Sequence, residues 1–145
     1  MLDQAIPRPA LAWRLDRLIP PAGTPRLAAG VLLVLLALRW AGIAVDPNAL
    51  YADETQYWIW SRELDWGYFS KPPMIAWIIA ATTFVFGDGD FGVRFAAPLL
   101  HSFTAVFLGL AAARLFNRQV GAWTSIVYIT LPAVWLSASV ISTDA

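Results

Sequence analysis

Three long apolar segments constrain the fold of this chain more than any other feature. They occupy residues 27–45, 93–116 and 120–140, and each is close to the roughly 20 residues that a helix needs to cross a bilayer. Of the 145 residues, 59% are hydrophobic and 14% are charged, whereas about 25% of a soluble domain is charged. The sequence therefore predicts an all-α polytopic membrane protein with three transmembrane helices.

The arginines predict which side of the membrane each connection faces. Four of them lie within residues 1–26, and Arg114 and Arg118 flank the short connection between the second and third segments. Because basic connections stay in the cytoplasm, we expect a cytoplasmic N-terminus, with 1–26 as a basic leader that carries a short interfacial helix. The outer loop, residues 46–92, then faces the periplasmic side of a plasma (inner) membrane protein.

A fourth apolar stretch, residues 72–86, is too short to span a bilayer. If it did span, Arg114 and Arg118 would move to the outer side and break the charge rule. We therefore predict that residues 72–86 form an amphipathic or half-buried helix on the outer face.

Two features inside the predicted spans need compensation. Pro98 and Pro132 free backbone carbonyls, which neighbouring helices must satisfy. Arg39 lies near the far end of the first span, where it can snorkel or pair with an acid. The spans are otherwise read as almost free of charge.

Several kinds of function are disfavoured by the residue types that are missing. The chain has no cysteine, only one histidine and a formal net charge of zero, so thiol chemistry, a histidine-based metal cluster and nucleic-acid binding find no support. His101, within the second span, is predicted to be a packing or hydrogen-bonding residue. The stretch "GDGDFG" at 87–92 resembles the start of a calcium loop but lacks the later ligands, so it predicts a turn.

The outer loop concentrates polar and aromatic residues. Residues 50–77 contain four acids, two bases and four tryptophans. A helix that begins at Asp53 would place that carboxylate on an aromatic face, where a half-desolvated acid can act as a base. The residues on that face would be Asp53, Tyr57, Trp60 and Leu64. Alternatively, Asp53 and Gln56 form a capping box.

Lys71 and Asp144 are the other candidate site residues. Two prolines follow Lys71 and present it from a stiff turn, so it either pairs with a lipid phosphate or only anchors a helix at the membrane surface. Asp144 follows the third span and either meets Asp53 or is a helix cap or a solvated residue. The tryptophans form an interfacial belt or stack on a sugar. The carboxylates Asp53, Glu54 and Asp144 suit a divalent cation, but they do not require one.

The stretch that runs from "ADETQYWIWSRELDWGYFSKPPMIAW" to the later "STDA" resembles the N-terminal part of bacterial family-39 glycosyltransferases. These are GT-C membrane enzymes related to protein O-mannosyltransferases and to the lipid A aminoarabinose transferase, and the resemblance covers about residues 40–145. It implies that 27–145 is the N-terminal part of a GT-C domain. It further implies two helices that lie along the membrane within the outer loop, at about 54–64 and 72–86. Asp53 would be the catalytic base, Glu54 of the same motif would be a second catalytic residue, and Lys71 and Asp144 would lie near the lipid phosphate.

The resemblance also implies the reaction. A sugar on a polyprenyl phosphate is transferred, with inversion, to an acceptor hydroxyl of a protein or glycolipid on the outer face. Enzymes of this kind are several times longer than 145 residues, so we expect these residues to be inactive alone. Two other functions remain open: a non-catalytic membrane transporter or lipid-binding subunit, and an anchoring protein. Transporters place charges near the middle of spans, whereas here the acids crowd the outer loop, which favours surface chemistry.

Overall fold

The computed structural model describes residues 24–69 and 71–142, and all the secondary structure in these residues is helical. This confirms the predicted all-α class; the basic leader lies almost entirely outside the described residues. The helices, numbered here in chain order, are α1 (Thr24–Val45), α2 (Ala52–Trp60), α3 (Met74–Phe86), α4 (Asp90–Arg94), α5 (Ala96–Leu115), α6 (Arg118–Thr130) and α7 (Pro132–Ser137).

Two helical stretches of the described chain are long and apolar enough to cross a membrane. They are α1, with 22 residues, and the joined helices α4 and α5, which together cover the 26 residues Asp90–Leu115. Both coincide with predicted spans, although α1 begins three residues earlier than expected and α4 begins inside the predicted outer loop. The outer-loop helices are also offset, because α2 begins at Ala52 and α3 at Met74.

The third predicted span, 120–140, is not one continuous helix. It divides into α6 and α7 at Leu131, whose ψ of 135° is extended rather than helical. The cause is Pro132, which lacks an N–H and disfavours a helical conformation in the residue before it. The carbonyl of Tyr128 accepts a hydrogen bond from the Leu131 N–H at 3.2 Å. The carbonyl of Ile129 accepts one from Arg39 Nη2 at 2.8 Å, so α1 bonds directly to the break.

Helices α5 and α6 approach each other through small residues. A side chain at Gly109 would collide with Ser125 and with the carbonyl of Gly121, and a side chain at Gly121 would collide with the carbonyl of Gly109. The Ser125 hydroxyl donates to the carbonyl of Ala105 across this interface at 2.9 Å. Close packing of this kind holds helices together in membranes, where burial of apolar surface gives little driving force.

The outer-loop helices share a hydrophobic core with α4, the start of α5 and the segment after α7. Buried residues of α2, α3, α4, α5 and the segment after α7 meet there: Tyr57, Ile75, Ile79, Val93, Ala96, Ala97 and Ile141. Helix α3 ends at Gly87, whose φ of 86° suits glycine, and residues 87–89 form the turn that the glycine-rich sequence predicts. The fold thus brings residues from 46–60 and 90–97 together with the chain just before Asp144.

Candidate active site

A buried ion pair between Glu54 and Arg94 lies at the centre of this end of the molecule. The two side chains are 0% and 1% exposed. Arg94 Nη2 lies 2.7 Å from Glu54 Oε2, and Arg94 Nε lies 3.0 Å from Oε1. A two-pronged contact between a guanidinium and a carboxylate is the strongest ionic hydrogen bond available to side chains. The pair fixes the first turn of α2 against the last residue of α4.

The remaining N–H groups of Arg94 bind the segment that joins α1 to α2. Nη1 lies 3.1 Å from Asp46 Oδ2, and Nη2 donates to the carbonyl of Ala49 at 3.1 Å. Asp46 Oδ1 also accepts hydrogen bonds from the backbone and side-chain N–H groups of Asn48. The backbone hydrogen bond from Asn48 is the main reason that the pKa of Asp46 is lowered, and the charge of Arg94 acts in the same direction.

Glu54 has two further hydrogen-bond donors. The N–H of Tyr51 donates to Oε2 and the N–H of Ile141 donates to Oε1, both at 3.0 Å. The contact with Ile141 ties α2 to the segment that follows α7, three residues before Asp144. A buried carboxylate is costly unless it is fully paired. The donors to Glu54 come from Tyr51 before α2, Arg94 at the end of α4 and Ile141 after α7, so its carboxylate joins α2 to these three parts of the chain. Asp144 itself lies outside the described residues.

Asp53 is exposed, although it is the neighbour of Glu54 in the first turn of α2. The capping-box interpretation of Asp53 and Gln56 is wrong, because the helix begins at Ala52 with Tyr51 as its N-cap residue, and it is Glu54 that bonds back to the Tyr51 N–H. The predicted aromatic face is right for Tyr57, which is buried, and for Trp60, which packs against the same core, but it is wrong for Asp53, which is exposed. Glu54 and Tyr57 point inward, while Leu64 lies beyond the end of α2. Pairing with Arg94 determines this rotation of the helix and leaves the Asp53 carboxylate accessible.

Lys71 lies two residues before the N-cap of α3 and is partly buried. Helices α2 and α3 share the core around Tyr57, Ile75 and Ile79. Asp53 thus lies in α2, and Lys71 lies just before α3, the helix that packs on α2.

Aromatic side chains fold the segment between α2 and α3. The rings of Trp60 and Tyr68 stack with centroids 4.8 Å apart, and the Tyr68 hydroxyl donates to the Trp60 carbonyl at 2.9 Å. Trp77 Nε1 donates to the Asp65 carbonyl at 3.1 Å, while Trp66 remains 85% exposed beside the Trp77 ring. Some of the tryptophans are thus structural, and Trp66 is free for a membrane or a ligand.

The described residues contain no group of three histidines, cysteines or acids that could hold a metal ion. Glu54, one of the three carboxylates considered for a divalent cation, is bound to Arg94 instead. Its four donors leave it with little remaining capacity to coordinate a metal.

Arg94 is the site residue that the sequence analysis missed. It is the second residue of the predicted span 93–116, and the spans were treated as almost free of charge. A charge at the start of an apolar helix is the available signal, because such a residue demands a partner. Its partner is 40 positions away in sequence, and no pattern in a single sequence indicates that pairing.

Comparisons with known proteins identify the family. The sequence model of the dolichyl-phosphate-mannose-protein mannosyltransferase family matches residues 70–145. The chain is 42% identical over 118 residues to the lipid A galacturonosyltransferase RgtD of Rhizobium johnstonii, covering 79% of this chain and 25% of the relative. It is 32% identical over 101 residues to the undecaprenyl phosphate-alpha-4-amino-4-deoxy-L-arabinose arabinosyl transferase of Pseudomonas savastanoi pv. phaseolicola, covering 66% and 19%.

The corresponding arabinosyl transferase of Photorhabdus laumondii is 35% identical over 92 residues, covering 54% of this chain and 17% of the relative. The chain thus spans a quarter or less of the length of these three relatives. No solved structure matches it. Since the family model covers residues 70–145, more than half of the 145 residues, the chain belongs to the dolichyl-phosphate-mannose-protein mannosyltransferase family.

Proposed function

We propose that the intact polypeptide transfers a sugar from a polyprenyl-phosphate donor to an acceptor hydroxyl, with inversion, at the outer face of the plasma (inner) membrane. The observation that carries the proposal is that the exposed Asp53 directly precedes Glu54, whose buried ion pair with Arg94 anchors the helix that carries both. The names of the relatives support an undecaprenyl-phosphate-linked donor and lipid A as acceptor. The name of the family supports a protein acceptor as the alternative.

In this proposal Asp53 is the general base. Its carboxylate takes the proton from the acceptor hydroxyl while that oxygen attacks the anomeric carbon of the sugar. The bond between the anomeric carbon and the phosphate oxygen breaks, and the polyprenyl phosphate leaves with the electron pair. Lys71 and Asp144 lie near that phosphate, and the ammonium of Lys71 stabilises the negative charge that develops on it.

We assign Glu54 a positioning role. The sequence predicts it as a catalytic residue, but its carboxylate is fully buried and accepts hydrogen bonds from Arg94, Tyr51 and Ile141. A group in this environment has no access to an acceptor. It holds α2 so that Asp53 faces outward, and a base that is held in place needs no reorganisation before the reaction.

The proposed topology has α2 and α3 lying along the outer membrane surface and α6 with α7 forming a third, broken span. Support comes from the common location of Asp46, Glu54 and Ile141 at one end of the long helices. Arg114 and Arg118 lie beside the α5–α6 connection. The N-terminus is then cytoplasmic and the site periplasmic, as expected from the arginines.

Asp53→Asn in the intact polypeptide tests the proposal. Membranes that contain the wild type or the variant are supplied with radiolabelled polyprenyl-phosphate sugars, and transfer to lipid and protein acceptors is counted. We expect Asp53→Asn to reduce transfer at least 100-fold, the effect of losing a general base, at unchanged expression. Asp88→Asn is the matched control, because Asp88 is an exposed acid of the same loop that pairs with Arg62 at the surface.

Equal transfer by Asp53→Asn and wild type would remove Asp53 as the base. Transfer from no donor by the wild type would favour the transporter or lipid-binding function. The names of the relatives, all of them transferases, speak for the enzymatic function.

A further inference from the structure

A pocket of about 260 Å³ lies between α5, α6 and the segment that follows α7. Its polar lining consists of His101, Thr104, Tyr128, Ser137 and Ser142. The α5 residues of the lining extend from Ala97 to Thr104, or about 10 Å along the helix axis at 1.5 Å per residue. The pocket therefore extends along α5 from near the end that carries the Glu54–Arg94 ion pair.

His101 orients two hydroxyl groups at the wall of this pocket. Its Nδ1 lies 3.1 Å from the Tyr128 hydroxyl on α6, and its Nε2 lies 3.1 Å from the Ser137 hydroxyl on α7. A neutral imidazole has one donor and one acceptor nitrogen, whereas a hydroxyl can donate one hydrogen bond and accept two. Each hydroxyl therefore keeps capacity for a ligand after it has bonded to His101, and its position is fixed.

The position of the pocket connects it with the candidate active site. Ile141 lines the pocket, and the Ile141 N–H donates to Glu54 Oε1 at 3.0 Å. Glu54 is the neighbour of Asp53 in sequence. A ligand in the pocket would thus lie beside Ile141, whose backbone N–H bonds to the helix that carries the proposed base.

The chemistry of the lining indicates the kind of ligand. Among the residues that the structure describes, four that carry hydroxyls and one histidine line the pocket, and no acid, lysine or arginine does. Such a set recognises hydroxyl groups rather than phosphate. At about 30 Å³ per water molecule, the pocket has the volume of roughly eight or nine waters, which is enough for one sugar ring but not for two.

We propose that this pocket binds the sugar ring of the lipid-linked donor through the Tyr128 and Ser137 hydroxyls, with His101 as the positioning residue. The proposal rests on the proposed function and goes further by naming the groups that recognise the sugar. Undecaprenyl phosphate would then bind more tightly when it carries the right sugar than when it carries none.

Equilibrium binding of these lipids to the intact polypeptide in detergent tests the proposal without relying on catalysis. The probes are bare undecaprenyl phosphate and undecaprenyl phosphate carrying mannose, galacturonic acid or 4-amino-4-deoxy-L-arabinose, the sugars in the names of the family and of its relatives. We expect Tyr128→Phe and Ser137→Ala each to weaken binding of the preferred sugar lipid about 3- to 10-fold, the value of one neutral hydrogen bond. Binding of the bare lipid should not change.

Three further variants separate recognition from a structural role. Ser139→Ala is the matched control, because the Ser139 hydroxyl bonds to the Trp135 carbonyl of its own segment and does not line the pocket. His101→Gln keeps a group that can both donate and accept, whereas His101→Leu does not, so the glutamine variant should retain more of the preference for the sugar lipid.

The pocket proposal is overturned if no sugar lipid binds better than the bare lipid. It is equally overturned if Tyr128→Phe and Ser137→Ala leave the preference intact, or weaken both lipids alike. Failure of the proposed function has a different signature, namely absence of transfer by the wild type or transfer that survives Asp53→Asn.

Discussion

Replacing Arg94 by methionine tests whether the buried ion pair organises this end of the molecule. The substitution leaves the Glu54 carboxylate 0% exposed and without a cation, although Tyr51 and Ile141 still donate to it. It also removes the hydrogen bonds to Asp46 and Ala49. Removing one partner of a buried pair costs about 3–5 kcal/mol, so we expect the free energy of unfolding to fall by about that amount.

The measurement is the unfolding of the intact polypeptide in detergent, followed together with sugar transfer in membranes. Arg62→Met is the matched control, because Arg62 also pairs with an acid, Asp88, but the two side chains are 42% and 59% exposed. An exposed pair contributes about 0–1 kcal/mol, and the contact of Arg62 with the Trp58 ring adds about 0.5–1 kcal/mol. Arg94→Met should therefore be the more damaging variant by at least 1–2 kcal/mol.

The double variant Glu54→Met, Arg94→Met refines this test. It removes both charges, so the uncompensated carboxylate is gone and part of the lost stability should return. Transfer should not return, since Asp53 loses its anchor. Equal effects of Arg94→Met and Arg62→Met would refute the argument that burial gives the Glu54–Arg94 pair its weight.

Two further predictions concern packing and pH. Gly109→Ala should destabilise the protein by about 1–3 kcal/mol, because the added methyl group collides with Ser125 and the Gly121 carbonyl. Gly30→Ala is the control and should be neutral or stabilising, because a methyl group there meets nothing within 4 Å. The unfolding midpoints of the two variants check both expectations. The folded-state pKa of Asp46 is lowered, so its stabilising contribution is complete above its ordinary pKa of about 4 and is lost as pH falls through the folded value. Asp46→Asn should therefore lower the unfolding midpoint at neutral pH, where the contribution of Asp46 is complete. It should also make the further fall of the midpoint below about pH 4 smaller than in the wild type.

The helices that the sequence predicts best are those defined by apolar length. Residues 27–45 and 93–116 are runs of about 20 apolar residues, and they are helical because a helix satisfies the backbone hydrogen-bonding groups internally. The start of the predicted span at Val93 concealed Arg94, because an apolar run is recognised by its average and one charge barely changes it. Asp53 was wrongly placed on the inward face of α2 for a related reason. Spacing gives the relative positions of Asp53, Glu54 and Tyr57, but the ion pair with Arg94 determines which of them faces inward.

Arg39 and Pro132 show how two features that each cost stability in a membrane can offset each other in part, although Arg39 Nε and Nη1 are buried without a hydrogen-bond partner among the described residues. Pro132 breaks the helix and leaves the Ile129 carbonyl without a helical partner, and Arg39, only 4% exposed, donates to that carbonyl at 2.8 Å. The guanidinium carbon also lies 5.3 Å from the centre of the Trp135 ring, just beyond the break. The sequence predicted that Arg39 would snorkel or pair with an acid, and that neighbouring helices would satisfy the carbonyls freed by Pro132. It did not connect the two residues, which are 93 positions apart. Because α7 starts at this break and leads to Ser137 and Ile141, the contact with Arg39 helps to set where the pocket wall and the Glu54 partner lie.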